Sequence, residues 1–130
     1  MTFEQALKVA RRNTFVYGKD WRVAVIAPAS SVLAVAWDEA KALIEASSLG
    51  LERANYATRT MELERGAIIR FHTVADSLDM YKLAGHQYTQ MLFMASKVPY
   101  PAQTTEYLRA LLRSPVVPTD NLVWSEYVTL

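Results

Sequence analysis

The side chains best suited to metal binding or acid–base chemistry are two histidines, His72 and His86. Their spacing matches no zinc signature, and a site would require both to meet a carboxylate such as Asp76 or Asp79. Cysteine is absent, which removes thiolate ligands, thiolate nucleophiles and disulfides together. We therefore expect no metal site, and we interpret His72 as a partly buried, hydrogen-bonded side chain at the end of a strand.

The serines that could act as nucleophiles are Ser30, Ser31, Ser77 and Ser96. None lies in the Gly-x-Ser-x-Gly sequence that exposes a nucleophile on a tight turn. Ser30 and Ser31 follow a strand-like run and precede a helical one, so a helix-capping role explains them. Hydrolase chemistry is therefore not indicated.

A phosphate-binding loop is also missing. The glycines are Gly18, Gly50, Gly66 and Gly85. Each is isolated, and none precedes Lys-Ser or Lys-Thr as the phosphate-loop motif requires. Gly18 follows a predicted helix, whereas a phosphate cradle lies between a strand and the amino end of a helix. We expect no bound nucleotide and no other cofactor.

The charges are nearly balanced, with 14 basic and 13 acidic side chains and a net charge of +1. This balance lacks the electrostatic footprint of tight, non-specific nucleic-acid binding. One local basic cluster comprises Lys8, Arg11, Arg12, Lys19 and Arg22. We interpret it as a solvated helix face followed by the start of a strand; the alternative is a nucleic-acid contact surface.

The chain has 130 residues and is 52% hydrophobic, which suits one folded domain with a single core over residues 1–130. The first residues lack the continuous apolar region of a secretory signal. No apolar run approaches the roughly 20 residues of a membrane span. We expect a cytoplasmic protein.

The first two elements have the clearest patterns. Thr2 and Gln5 are spaced as a capping box, and a helical pattern follows to about residue 16, with Gly18 as a stop. The run Trp21 to Ala27 is β-branched and almost wholly apolar, which is typical of a strand covered on both faces.

Weaker patterns place the other elements. They are a helix from Ser30 or Ser31 to near Gly50, strands at 55–63 and 67–74 that form a hairpin around 64–66, a helix at 76–84, a strand at 91–95, a helix at 101–113 and a last strand at 121–130. The helix at 101–113 is predicted to turn Tyr107, Leu108, Leu111 and Leu112 inward. Helices that alternate with buried strands predict an α/β three-layer sandwich around a mostly parallel sheet.

Taken in order, these segments resemble the ATPase domain of the large terminase subunit of tailed bacteriophages, a P-loop-type α/β fold. The matching segments are Val23 to Pro28, Ile68 to Phe71, Lys82 to Tyr88, Met91 to Met94 and Leu112 to Pro115. Each motif is weak alone, and their order and spacing carry the resemblance over nearly the whole chain.

The departures from that family concern its catalytic residues. The resemblance places the Walker A loop just before the first helix, where this sequence starts, and the coupling motif after the last strand. It places the Asp-Glu pair of Walker B on Ala95 and Ser96. Neither side chain can hold Mg²⁺ or abstract a proton as a carboxylate does. The resemblance therefore implies a degenerate, inactive pseudo-ATPase rather than an enzyme.

The resemblance also has a structural consequence. In these motors the strand before the phosphate loop lies beside the coupling strand, so without it the last strand would present an unpaired edge. Such edges invite pairing with another chain. We expect a homodimer or a partner protein to bind this edge, through Asn121, Val123, Ser125 and Tyr127.

These points define two functional hypotheses. The first is a non-catalytic phage protein of the host cytoplasm that acts by protein–protein contacts, as a packaging accessory or as an inhibitor of a host factor. The alternative is a nucleic-acid-binding accessory protein that uses the basic cluster around Arg11 and Arg12.

Overall fold

The computed structural model describes residues 1–48, 50–74 and 85–130. The predicted helix at 76–84 lies outside the described residues, as do Asp76, Ser77, Asp79 and the first part of the Lys82-to-Tyr88 motif. None of the helices in the described part has the length and apolar composition needed to cross a bilayer.

The described part contains one six-stranded sheet. Its strands are β1 (Arg22–Ala27), β2 (Leu51–Asn55), β3 (Thr60–Leu63), β4 (Ile68–Thr73), β5 (Gln90–Met94) and β6 (Val123–Val128). Their spatial order is β2-β3-β4-β1-β5-β6. The strands β4, β1, β5 and β6 run parallel, and the β2–β3 and β3–β4 pairs are antiparallel.

In the described ranges, three α-helices cover the sheet: α1 (Phe3–Tyr17), α2 (Ser30–Glu45) and α3 (Ala102–Leu111). The buried faces of α1 and α2 share one apolar cluster with Val23 and Val25 of β1. On the other face of the sheet, Leu108 of α3 packs with Ala24 and Ile26 of the same strand. The predicted three-layer α/β sandwich with a mostly parallel sheet is confirmed.

The central position of β1 follows from its composition. Val23 to Ala27 are all buried, because β4 lies on one side of the strand, β5 lies on the other, and helices cover both faces. An apolar run of this kind is stable only where neither face meets water. The prediction from the unbroken apolar character of this segment is therefore confirmed.

The start of α1 also agrees with its sequence. The Thr2 side chain accepts a hydrogen bond from the Gln5 amide at 3.2 Å. The Gln5 side chain accepts one from the Thr2 amide at 2.9 Å. This is the reciprocal capping box, and at the other end Gly18 closes the helix with a φ of 57°, a value that glycine adopts at little cost.

Two boundary predictions for α2 were wrong. The N-cap of α2 is Ala29, which has no side-chain capping bond, so neither Ser30 nor Ser31 caps the helix. The helix ends at Glu45, before Gly50. The apolar face of the helix is buried at Leu33, Ala36, Trp37, Ala40 and Ile44.

The hairpin was placed correctly but its first strand was drawn too long. The antiparallel pair joins β3 to β4 across residues 64–66, and residues 56–59 form a turn. The preceding strand β2 was missed because four of its five residues are exposed. It therefore carries none of the alternation that marks a half-buried strand.

The last two elements are shorter than predicted. The helix α3 spans Ala102–Leu111, with Leu108 as its one buried residue, and Tyr107 is 40% exposed, so its predicted inward position was wrong. The strand β6 spans Val123–Val128. Asn121 belongs to the preceding 3₁₀ turn.

Candidate functional site

The carboxyl ends of the parallel strands meet the amino end of α1 at one edge of the sheet. The Phe3 amide donates to the Thr129 carbonyl at 2.6 Å, and the Ala95 amide donates to the Val128 carbonyl at 2.8 Å. Thr2 and Thr129 form a parallel bridge. Open α/β sheets bind their ligands at this edge, so a catalytic or ligand-binding site would be expected here.

Ala95 and Ser96 follow β5 at this edge. Ala95 is exposed and has no polar side-chain atom. Ser96 is partly buried, and its hydroxyl accepts a hydrogen bond from the Val98 amide at 3.2 Å. Within residues 1–48, 50–74 and 85–130 no three acidic or histidine side chains are grouped to hold a metal ion.

The amino end of α1 is already engaged by its own chain. Of the amides in its first turn, that of Gln5 is bonded to the Thr2 side chain and that of Phe3 to the Thr129 carbonyl. Glu4 adds a carboxylate to the same turn. Anions bind helix amino ends through free amides and the positive end of the helix dipole, and both are reduced here.

Tyr100 ties two strands together near this edge. Its hydroxyl lies 2.6 Å from the Met94 carbonyl and 3.3 Å from the Ile26 carbonyl, and it can donate to either. Burial raises the pKa of Tyr100 to about 12. The hydroxyl therefore stays protonated and acts as a structural donor between the ends of β1 and β5.

The structure distributes the predicted basic cluster over two faces of the sheet. Lys8 and Arg11 line the α1–α2 cleft, a depression of about 190 Å³ between the two helices that also includes Glu4, Leu7, Leu43 and Ile44. Lys8 forms an exposed ion pair with Glu4 at 3.9 Å. Arg22 has the same strand parity as Ala24 and Ile26, so it lies on the opposite face of the sheet.

The other two basic residues of the cluster do not line the α1–α2 cleft. Arg12 lies on α1 and is exposed, and Lys19 lies in the 3₁₀ turn that follows the helix. Gly66, with a φ of 84°, approaches the backbone and Cβ of Lys19 closely. The five basic residues therefore line no common cleft, and whether they contact nucleic acid stays a prediction.

A second cleft lies at the amino ends of β1 and β5. It has a volume of about 260 Å³. We call it the arginine cleft, and its polar lining residues include Asp20, Arg22, His86, Thr89, Arg113 and Ser114. No local sequence pattern predicts this grouping, because the lining comes from segments that are far apart in the sequence.

The proposed edge-strand residues lie at the border of the sheet. Within the described part β6 pairs only with β5. Val123 and Ser125 are partly buried and Tyr127 is 69% exposed. Tyr127 has a φ of 57° and lies where the register shifts between Leu92 and Met94, so the carboxyl half of β6 is bulged.

The backbone groups of this edge that have no partner among residues 1–48, 50–74 and 85–130 form a short row. The Val123 amide donates to the Thr89 carbonyl, so its peptide groups face β5. Backbone groups alternate along a strand, and those of Trp124 and Glu126 therefore face away from β5. Beyond the bulge, Thr129 is already bonded to Met1 and Phe3.

The sequence matches no protein-family model and no curated protein. Among solved structures, the fold is similar to that of the large terminase from a thermophilic bacteriophage, with a TM-score of 0.72 over 94% of this chain. The two sequences are 8% identical, and this chain covers 30% of the terminase chain. This chain therefore shares the fold of part of a phage large terminase.

Proposed function

We propose that this chain is a non-catalytic phage protein related to the terminase ATPase core, which acts through protein–protein contacts made by β6. In this role it would serve as a packaging accessory or as an inhibitor of a host factor. The observation that carries the proposal is the combination of a terminase-like fold with Ala95 and Ser96 at the carboxyl end of β5.

The fold comparison supports the terminase relationship. A TM-score of 0.72 over 94% of the chain means that nearly all of its described elements have counterparts in the large terminase of the thermophilic phage. β5 pairs in parallel with β6, and these are the strands that the resemblance assigns to Walker B and to the coupling motif. The relationship itself remains part of the proposal, because 8% identity supports a shared fold only.

The chemistry at the carboxyl edge supports the non-catalytic role. Phosphoryl transfer needs a carboxylate to hold Mg²⁺ and a second group to position the attacking water. Ala95 offers no polar atom, and the Ser96 hydroxyl is bonded to Val98. The amino end of α1, where a phosphate would bind, is occupied by its capping box and by the bond to Thr129.

The β6 edge supports the contact surface. The outward peptide groups of Trp124 and Glu126 offer two donors and two acceptors to an added strand. The bulge at Tyr127 ends this row, so pairing would be short and would need side-chain contacts in addition. In a homodimer with two-fold symmetry, the two β6 strands would pair antiparallel.

A proline substitution tests this contact without breaking the internal sheet. Glu126→Pro removes an amide that faces away from β5, whereas Glu126→Ala keeps that amide and removes only the carboxylate. We expect sedimentation velocity to show a dimer for the wild type and for Glu126→Ala, and a monomer for Glu126→Pro. A wild type that stays monomeric at all concentrations, with no β6 crosslink, contradicts the homodimer.

The nucleic-acid alternative is tested separately with labelled duplex DNA. Salt-dependent binding that disappears in the Arg11→Ala/Arg12→Ala double variant would favour it over the contact hypothesis. Binding that these changes leave untouched would count against the basic cluster.

A further inference from the structure

We propose that the arginine cleft binds a phosphate group, and that Arg22 and Arg113 are the residues that hold it. This site lies at the amino ends of the parallel strands. It is separated from Ala95 and Ser96 by the length of a strand, about 16 Å. Neither Trp124 nor Glu126, which carry the contact proposed for β6, lines the cleft, so the two proposals can be tested separately.

The backbones of the two arginines are held at neighbouring positions. The Arg22 backbone is fixed to Thr89, whose hydroxyl accepts from the Arg22 amide at 2.8 Å and lies 3.0 Å from the Arg22 carbonyl. The Arg113 amide donates to the Tyr88 carbonyl at 3.0 Å. Both arginines are therefore anchored through their backbones to neighbouring residues just before β5, and both line the same cleft.

The two arginines also carry positive charge into the same cleft. Among the described residues, neither Arg22 nor Arg113 forms an ion pair, although Asp20 lines the same cleft. Two guanidinium groups that face one cavity repel each other and favour an anion between them. Guanidinium groups bind phosphate oxygens in pairs, with charge-assisted hydrogen bonds.

Arg70 adds a further positive charge behind the cleft. It lies on β4, on the same face of the sheet as Arg22. Its Nη1 atom is buried, and its guanidinium group interacts with the Tyr88 hydroxyl. Burial lowers the pKa of His86, and the charges of Arg70 and Arg22 lower it further. The field at His86 is therefore positive, which is the field that attracts an anion.

The size of the cleft favours a single phosphate group. About 260 Å³ is less than the roughly 300–1,000 Å³ of sites that enclose drug-sized ligands. The phosphate could be carried by a small molecule or by the end of a nucleic-acid strand, and the chemistry of the cleft is the same for both.

Calorimetric titration with inorganic phosphate at constant ionic strength tests the site. We expect a dissociation constant on the order of 1 mM, weakened about tenfold or more by Arg113→Gln or by Arg22→Gln. Arg53→Gln on β2 is the matched control. It removes one guanidinium from an exposed ion pair with Glu62, far from the cleft, and should leave the dissociation constant unchanged.

An NMR titration of His86 gives a second readout. Sulfate keeps both charges across the relevant pH range, and when bound it should raise the pKa of His86 by favouring the imidazolium. Asp20, Arg22, Arg70 and Arg113 are the charged groups that face His86 or its cleft. In the Arg22→Gln variant without sulfate, the pKa of His86 should be higher than in the wild type, because the positive charge of Arg22 no longer lowers it. Adding sulfate to this variant should then leave the pKa of His86 unchanged.

Two oligonucleotides of one sequence, with a 5′-phosphate or a 5′-hydroxyl, identify the source of the phosphate. Tighter binding of the 5′-phosphorylated strand than of the 5′-hydroxyl strand assigns the site to a nucleic-acid end, and equal binding of the two strands assigns the phosphate to a small molecule. The proposal is overturned if the wild type binds neither phosphate nor sulfate. It is equally overturned if binding survives both arginine substitutions, which would mean an adventitious ion only.

Discussion

Trp21 and Gln90 are joined by a buried hydrogen bond in which the indole Nε1 donates to the Gln90 Oε1 at 3.1 Å. The same glutamine side chain donates from its Nε2 to the Ala6 carbonyl of α1, also at 3.1 Å. Both Trp21 and Gln90 are fully buried. One amide therefore connects the start of β1, the start of β5 and the helix that packs over them.

Replacing the side-chain amide of Gln90 should lower the free energy of unfolding. Gln90→Ala leaves the Trp21 indole and the Ala6 carbonyl without this partner and opens a cavity. Each buried group left unpaired costs roughly 1–3 kcal/mol, so we expect a loss of about 3 kcal/mol or more in the free energy of unfolding. Urea denaturation measures it. Gln103→Ala, on the exposed side of α3, is the control, and a similar effect in both variants would refute the assigned role.

The capping box gives a smaller and separable effect. Thr2→Ala removes the acceptor for the Gln5 amide, and we expect it to lower the free energy of unfolding by about 1 kcal/mol. Thr2→Ser keeps the hydroxyl and should behave like the wild type in the same thermal or urea unfolding experiment. If the serine variant is destabilised as much as the alanine variant, the hydrogen bond is not what stabilises α1.

The raised pKa of Tyr100 predicts that the free energy of unfolding depends on pH in the alkaline range. Its pKa is raised from 10.0 to about 12 by burial, so the unfolded chain loses this proton at a lower pH than the folded protein. The stability that results is complete below about pH 10 and is lost as the pH rises towards 12. The free energy of unfolding of the wild type should therefore fall more steeply across this interval than that of Tyr100→Phe. Parallel slopes would contradict the assignment.

The residues at the carboxyl end of β5, Ala95 and Ser96, lead us to predict that the chain does not hydrolyse nucleotides. We expect no magnesium-dependent hydrolysis of ATP or GTP by the purified chain, measured as phosphate release against a protein-free control. The double substitution Ala95→Asp/Ser96→Glu should not create activity, because the first-turn amides of α1 remain engaged. Magnesium-dependent turnover that Ser96→Ala abolishes would overturn the pseudo-ATPase proposal.

Local patterns predicted much of the fold because they report on local burial and hydrogen bonding. The spacing of Thr2 and Gln5 predicted the start of α1, and the apolar run after Trp21 predicted the buried strand β1. The strand β2 was not predictable in this way. Its residues are mostly exposed, and its strand conformation depends on its pairing with β3.

The sequence by itself determined which segments fold into helices and buried strands, because side-chain period and capping chemistry act within a few residues. It also determined that Ala95 and Ser96, rather than carboxylates, follow β5. Only the tertiary structure decided which distant residues meet. It divided the basic cluster between two faces of the sheet, placed β6 at an edge and brought Arg22, His86 and Arg113 into one cleft. These contacts depend on strand order and on helix packing across long sequence separations, which no local period encodes.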